Sequence, residues 1–188
     1  MIWVSFMANL GYRQAMSIQV ALLRGVNVGG HAVLPMAELR SILKGLGAKD
    51  VHTYIQSGNA VFRGALEETR ICDAIEAEKG FRPRVMLMPF ENFEAVVDSN
   101  PLAQASENPK TLHLFFLASP SLVDESVLIA AKGEEEQFVL TERALYLHTP
   151  KLLSGSKLAE RLEQLLGVPA TGRNLRTAQK IRELGHSI

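Results

Sequence analysis

One order of apolar segments occurs twice along this chain of 188 residues, and it constrains the fold more than any other feature. The first occurrence starts with the apolar, partly β-branched run Ile18–Leu23, which predicts a buried strand. Pro35 then suits the first turn of a helix, and apolar residues recur at helical spacing behind it until Gly47. The next predicted elements are strands Val51–Ile55 and Ala60–Arg63, helix Leu66–Lys79, strand Arg84–Met88 and helix Pro89–Val97.

The second occurrence follows a polar stretch between Asp98 and Lys110. Its elements repeat the order of strand, helix, two paired strands, helix and strand, and one more helix closes the chain. They are predicted at Leu112–Leu117, Leu122–Ala131, Phe138–Leu140, Ala144–His148, Ser156–Leu166, Val168–Thr171 and Asn174–Leu184.

Two passes of the order β-α-β-β-α-β predict an α+β protein built from two tandem ferredoxin-like repeats. Each repeat would have an antiparallel sheet with its helices on one face, and a C-terminal helix would follow the second repeat. The predicted boundaries are residues 17–99 for the first repeat, 100–110 for a linker and 111–188 for the second repeat with its C-terminal helix. Residues 1–16 are predicted to be a disordered extension, because Met16 immediately precedes the first strand and suits a natural start.

Composition and charge narrow the class of protein. Apolar residues make up 47% of the chain and charged residues 21%, as in ordinary globular proteins. No apolar run approaches the ~20 residues that cross a membrane, and the single cysteine, Cys72, suits the reducing cytoplasm. Residues 1–63 hold six basic against two acidic residues, residues 64–145 seven against fifteen, and residues 146–188 seven against three. This balance is unlike that of a strongly basic nucleic-acid-binding domain, and the two basic ends form either a local anion site or ordinary solvated surface.

The loop after the first strand, Arg24-Gly25-Val26-Asn27-Val28-Gly29-Gly30, is the first candidate site. Its glycines permit positive φ and a close approach of the backbone to a ligand. Successive N–H groups in such a loop form a concave anion site, to which Arg24, Asn27, Gly29 and Gly30 would contribute. The spacing is neither a dinucleotide-binding fingerprint nor a P-loop. The alternative is a tight connection that needs glycine for its geometry alone.

The second candidate site is the predicted turn within Thr53-Tyr54-Ile55-Gln56-Ser57-Gly58-Asn59. Gln56, Ser57 and Asn59 offer amide and hydroxyl groups that would orient a polar ligand. Ser57 lacks the G-x-S-x-G setting of a hydrolase nucleophile, and no residue is assigned a catalytic role. The alternative is a hairpin turn whose residues serve the turn only.

The third candidate site lies near the C-terminus, where Thr171-Gly172-Arg173-Asn174 is predicted to open the last helix. Arg173 and Asn174 would bind an anion at the helix N-terminus, and Lys157, which follows Ser156, offers a weaker contribution. The alternative is a pair of capped, solvated helices. No metal site is predicted, since the histidines lack the spacing of metal ligands; they are His31, His52, His113, His148 and His186.

Four stretches, taken in order, carry a resemblance to a known family: LLRGVNVGG, PMAELR, TYIQSGNAVF and TGRN. Together they resemble the bacterial family catalogued as domain of unknown function 1697, over roughly Ile18 to Leu184. The resemblance implies a duplicated ferredoxin-like fold and no established activity, cofactor or substrate. Ser156-Lys157-Leu158 matches a further family segment, whereas Leu175 stands where many members carry an aromatic residue.

Three functional hypotheses follow from these patterns. The leading one is a small-molecule or anion-binding protein for a phosphorylated or carboxylated ligand, and both a pure binding protein and an enzyme fit it. The second is a single-stranded nucleic-acid-binding module that stacks bases on sheet aromatics. The third is a structural or interaction module without catalysis. The sequence indicates no cofactor and no particular oligomeric state. The aromatics on the predicted strands are Tyr54, Phe62, Phe115, Phe116, Phe138 and Tyr146.

Overall fold

The computed structural model describes residues 17–102, 108–151 and 153–188. The chain divides into two compact units: the first comprises the described residues up to Phe93 together with Ile181–Ile188, and the second comprises Glu94–Lys180. The predicted extension over residues 1–16 lies outside the described residues, as do residues 103–107 of the predicted linker. The boundaries proposed from the sequence for the two repeats and the linker stay a prediction.

The first unit contains a four-stranded antiparallel sheet in the order β2-β3-β1-β4. The register places Leu22 of β1 opposite Asn59 of β3, and Arg24 opposite Arg84 of β4. The elements are β1 (Ile18–Arg24), α1 (Met36–Gly45), β2 (Lys49–Tyr54), β3 (Asn59–Arg63), α2 (Glu68–Lys79) and β4 (Arg84–Pro89), followed by α3 (Phe90–Asp98), which passes from the first unit into the second after Phe93.

The alternation of side chains along the central strands explains how this sheet packs against its helices. Successive side chains of a strand point to opposite faces, and one face of β1 and β3 packs with the helices in a single apolar cluster. The cluster includes Ala21, Leu23, Ala60 and Phe62 from the strands and Leu39, Leu43, Ile71 and Ile75 from the helices. The intervening residues Val20, Leu22 and Val61 are buried as well, so both faces of the sheet are covered. This explains why β1 is an unbroken apolar run.

The second unit contains a sheet with the same relative order, β6-β7-β5-β8, and all its pairs are antiparallel. Its helices pack on Phe115, Leu145 and Leu147 through Leu128, Leu158 and Leu162. The elements are β5 (Leu112–Leu117), α4 (Glu125–Ala131), β6 (Gln137–Leu140), β7 (Ala144–His148), a 3-10 turn (Leu153–Gly155), α5 (Lys157–Glu160), α6 (Leu162–Leu166), β8 (Ala170–Asn174) and α7 (Leu175–His186).

The predicted fold class is confirmed: two tandem ferredoxin-like units with antiparallel four-stranded sheets and a C-terminal helix. Strands β5 and β7 have the predicted bounds. None of the helices in the described ranges combines the length and apolarity needed to cross a membrane.

One predicted element near the C-terminus was wrong in its form. The single helix expected over Ser156–Leu166 is two short helices separated at Arg161, whose ψ of 8° departs from helical geometry. The strand expected over Val168–Thr171 is present as β8 and runs from Ala170 to Asn174, and the last helix, expected from Asn174, begins at Leu175. The strand extends to Asn174 because this polar stretch pairs with β5.

Candidate functional site

The glycine loop between β1 and α1 folds into a miniature β-hairpin. The N–H of Asn27 donates to the carbonyl of Ala32 at 3.0 Å, and the N–H of His31 donates to the carbonyl of Val28 at 2.9 Å. Gly29 and Gly30 form the two-residue turn with φ of 58° and 79°. A turn with positive φ at both central residues is the type I′ geometry, which favours glycine at both positions. The glycine pair therefore builds a projecting tip, where both residues are exposed.

Asn27 fixes this hairpin to the neighbouring turn. Its side-chain Nδ2 donates to the carbonyls of Leu34 at 2.9 Å and Gln56 at 2.8 Å, and its Oδ1 accepts from the N–H of Leu34 at 2.8 Å. Its backbone φ is 55°, a region that asparagine tolerates better than most residues. The structure shows its amide joining two segments of the protein, and the role in ligand binding predicted for Asn27 stays a prediction.

The turn between β2 and β3 is held equally firmly. The N–H of Leu23 donates to the carbonyl of Gly58 at 2.8 Å. A Cβ added to Gly58 would lie 2.7 Å from the Cβ of Leu23, so only glycine fits there. Asn59 is buried, and its Nδ2 donates to the carbonyl of Tyr54 at 2.9 Å and to Ser57 Oγ at 3.1 Å. The loop and the turn thus meet at one edge of the sheet.

A pair of arginines lies at the same edge. Arg24 ends β1, and the antiparallel register sets it directly opposite Arg84 at the start of β4. Both arginines also make other interactions within the protein. The glycine-loop motif indicated Arg24, whereas no local motif indicated Arg84. The predicted strand order already contained the necessary signal, because a ferredoxin-like sheet pairs the end of its first strand with the start of its fourth.

We call residues 24–34, residues 55–59 and Arg84 the loop–turn surface. Its exposed polar side chains are those of His31, Gln56, Ser57 and Arg84, and Gly25, Gly29 and Gly30 are exposed as well. No aspartate or glutamate occurs in residues 24–37 or 51–66. The surface therefore offers hydrogen-bond donors and positive charge. Ser57 Oγ accepts from an amide N–H, a group that cannot serve as a base for nucleophilic catalysis.

Three residues predicted for the site lie in the second unit. Lys157 is exposed at the start of α5, behind Ser156, whose Oγ caps the helix by accepting from the N–H of Ala159 at 3.1 Å. Arg173 Nη1 donates to the carbonyl of Gly172 at 2.8 Å. Asn174 Oδ1 accepts from the N–H of Thr177 at 2.8 Å and so caps α7. A role for Lys157, Arg173 and Asn174 in ligand binding stays a prediction.

The histidines of the second sheet do not face each other. The pairing sets Leu147 opposite His113 and Leu112 opposite His148, which places the two imidazoles on opposite faces. Burial lowers the pKa of His113, and the charge of His148 lowers it further. Across the described ranges, no group of three or more His, Cys, Asp or Glu side chains is arranged to hold a metal ion.

The second unit also contains an open cleft of about 440 Å³ beside Tyr146. The Tyr146 hydroxyl donates to the carbonyl of Val96 at 2.7 Å and lies 3.1 Å from Ser99 Oγ. Burial raises the pKa of Tyr146. No sequence motif indicated this cleft, because residues from the end of α3 and from the β6–β7 hairpin form it together.

The sheet aromatics are mostly core residues. Phe62, Phe115, Phe116 and Tyr146 are all buried, leaving Tyr54 and Phe138 partly exposed among the six considered for base stacking. A single-strand-binding sheet needs aromatic faces open to solvent. The nucleic-acid hypothesis therefore gains no support from this arrangement.

The fold and the loop–turn surface define a tandem ferredoxin-like protein whose first unit carries a glycine hairpin. A family model described as "Protein of unknown function (DUF1697)" matches residues 16–146, so the chain belongs to this family, as the resemblance indicated. Three of the four motifs lie within the matched residues, and TGRN lies beyond them. Among solved structures, the chain is similar to the conserved bacterial protein SP0830 from Streptococcus pneumoniae, with 25% sequence identity and a TM-score of 0.60. That similarity covers 90% of this chain and 99% of the pneumococcal chain. No curated protein matches the chain.

Proposed function

We propose that the loop–turn surface binds a small anion that carries a phosphate or carboxylate group. The observation that supports this most directly is the placement of Arg24 opposite Arg84, at the edge where the glycine hairpin meets the β2–β3 turn. An anion bound beside two neighbouring guanidinium groups accepts charge-assisted hydrogen bonds from both of them.

Neutral donors lie on the same surface. The N–H groups of Gly29 and Gly30 make no hydrogen bond to any of the residues that the structure describes, and both residues are exposed. Gln56 and Ser57 add a side-chain amide and a hydroxyl. Asn27 and Asn59 act as positioning residues, because their hydrogen bonds fix the hairpin and the turn before a ligand arrives. Such preorganisation lowers the entropy that binding costs.

The proposal is for binding rather than for a particular reaction. The surface supplies positive charge and hydrogen-bond donors, and its hydroxyl, Ser57, has an amide partner. Lys157, Arg173 and Asn174 lie in the second unit and offer the same chemistry there, and their role in ligand binding stays a prediction. We also propose a cytoplasmic location, which the single, buried cysteine supports.

The test is a thermal-shift and calorimetric titration with inorganic phosphate at constant ionic strength. At a phosphate concentration 100-fold above Kd, a ligand that binds only the native state stabilises it by about 2.7 kcal/mol. For a protein of this size that corresponds to roughly 5–10 °C in Tm. The variants Arg24→Gln and Arg84→Gln should lose most of the shift.

A matched control separates specific binding from the general stabilisation that phosphate gives to any folded protein. Arg70→Gln removes one exposed arginine from α2, away from the loop–turn surface, and should keep the full shift. An equal phosphate shift in the parent protein, Arg24→Gln and Arg70→Gln would overturn the proposal.

A further inference from the structure

The loop–turn surface is apolar as well as basic. Among the described residues, six large apolar side chains are exposed, and three of them lie on this surface. Val28 is 65% exposed, Val33 is 53% exposed and Ile55 is 47% exposed. Single exposed apolar residues are ordinary, whereas here half of the exposed large apolar residues that the structure describes lie on two segments joined by the Asn27 side chain.

The structure holds these side chains in place. Val28 is paired with His31 across the tip of the hairpin. Val33 directly precedes Leu34, which is buried and bonded through both its N–H and its carbonyl to the Asn27 side chain. Ile55 has φ of 46°, an unfavourable conformation for a β-branched residue. Strained backbone of this kind persists only where the surrounding structure fixes it, and it is frequent at binding sites.

We infer that the ligand of this surface is amphipathic, with an alkyl or aryl group attached to its phosphate or carboxylate. The inference rests on the proposed anion site and adds the class of ligand. The anionic group would lie against Arg24 and Arg84, and the apolar group would cover Val28, Val33 and Ile55. Because the two segments carry no acidic residue, nothing on them repels the anionic end of such a molecule.

The inference commits to a soluble ligand with one anionic group and a short apolar part. Full burial of a methylene strengthens binding about fourfold, so half-burial on an open surface predicts about twofold for each methylene. From methyl phosphate to butyl phosphate this amounts to about eightfold tighter binding. The heat-capacity change of binding should become more negative along the series, which is the signature of apolar burial.

The experiment is a calorimetric series with inorganic, methyl, butyl and hexyl phosphate at constant ionic strength. It compares the full-length protein with the double variant Val28→Thr and Val33→Thr, in which each valine keeps its shape and exchanges one methyl group for a hydroxyl. Measured relative to its own affinity for inorganic phosphate, the double variant should lose most of the gain with chain length. Val127→Thr alters an exposed valine of α4 in the second unit and should leave the whole series unchanged.

The outcomes separate this inference from the proposed function. Binding of inorganic phosphate without any gain from the alkyl chain would overturn the inference and leave the anion site standing. A chain-length gain that survives unchanged in the double variant would overturn it too. Absence of binding across the whole series would remove the anion site and the inference together.

A final arm uses phosphatidylcholine vesicles with and without phosphatidic acid, to distinguish a soluble ligand from a membrane surface. Binding to the acidic vesicles with no measurable affinity for butyl or hexyl phosphate would overturn the assignment to a soluble ligand. Binding of the alkyl phosphates with no difference between the two vesicle types would support it.

Discussion

The two units share one topology and differ most at the same edge of their sheets. In the first unit, β1 leads to α1 through residues 25–34, which contain five residues with positive φ. In the second unit, β5 leads to α4 through residues 118–124, none of which has positive φ. The two units thus share one scaffold, whereas the residues with positive φ in the loop after the first strand belong to the first unit. Function is commonly placed on a fold in this way, as a site added to a stable sheet.

The hairpin turns at this edge show the same difference. The β6–β7 turn is closed by a hydroxyl: Thr141 Oγ1 donates to the carbonyl of Ala144 at 2.9 Å and accepts from its N–H at 3.1 Å. The β2–β3 turn instead uses Ile55 and Gly58 at positive φ and packs Gly58 directly on β1. The hydrogen bonds of one threonine suffice to close the turn in this topology. The close packing of Gly58 on β1 in the first unit therefore needs another explanation, which the proposed anion site provides.

The substitution Gly58→Ala should produce the largest difference between the two turns. A Cβ at this position meets the side chain of Leu23 at 2.7 Å, and alanine is strained at φ of 76°. Overpacking and the left-handed conformation each cost about 1–3 kcal/mol, so we expect a loss of about 3 kcal/mol in the free energy of unfolding. Urea denaturation measures this loss.

Glu142→Ala in the exposed β6–β7 turn is the control, and its free energy of unfolding should change by less than about 0.5 kcal/mol. Similar losses in both variants would contradict the contrast between the turns.

The substitution Asn27→Ala tests whether the loop and the turn form one structural element. It removes three hydrogen bonds and leaves the N–H of Leu34 without its partner, so we expect a loss of about 2 kcal/mol. Hydrogen exchange should also speed up in residues 25–34 and 55–58 together. Thr141→Val in the second unit removes two hydrogen bonds of a single turn and should cost about 1 kcal/mol. Faster exchange in residues 25–34 alone would show that the turn does not depend on the loop.

The fold could be predicted from the sequence where local patterns and tertiary structure agree. The apolar runs of β1 and β5 are unambiguous, since strands covered on both faces need apolar residues at every position. The extent of strand β8 could not be predicted in this way, because Gly172, Arg173 and Asn174 have little intrinsic preference for strand and belong to it only by pairing with β5.

The candidate site shows a similar division. The glycine loop and the β2–β3 turn are local motifs, and the sequence identified both. That Asn27 donates to Gln56, 29 residues away, depends on how β1 and β3 pair, and so does the meeting of Arg24 with Arg84 across β1 and β4. Residue types therefore indicated a polar site, whereas long-range pairing decided which side chains build it and which remain exposed.

The smallest expected effect is a pH dependence that arises from His113 in the second unit. Burial lowers its pKa, so below about pH 6.5 the unfolded chain takes up a proton more readily than the folded protein does. The free energy of unfolding should consequently fall as the pH decreases from 7.5 to 5.5, by about 1 kcal/mol. His113→Gln should flatten this part of the profile, whereas His52→Gln, at an exposed position of β2 in the first unit, should leave it as it is. Urea denaturation at each pH provides the measurement.

A steeper dependence of the free energy of unfolding on pH in His113→Gln than in the parent protein would mean that the buried imidazole is not its source. The assignment of this titration to the second unit would then be wrong.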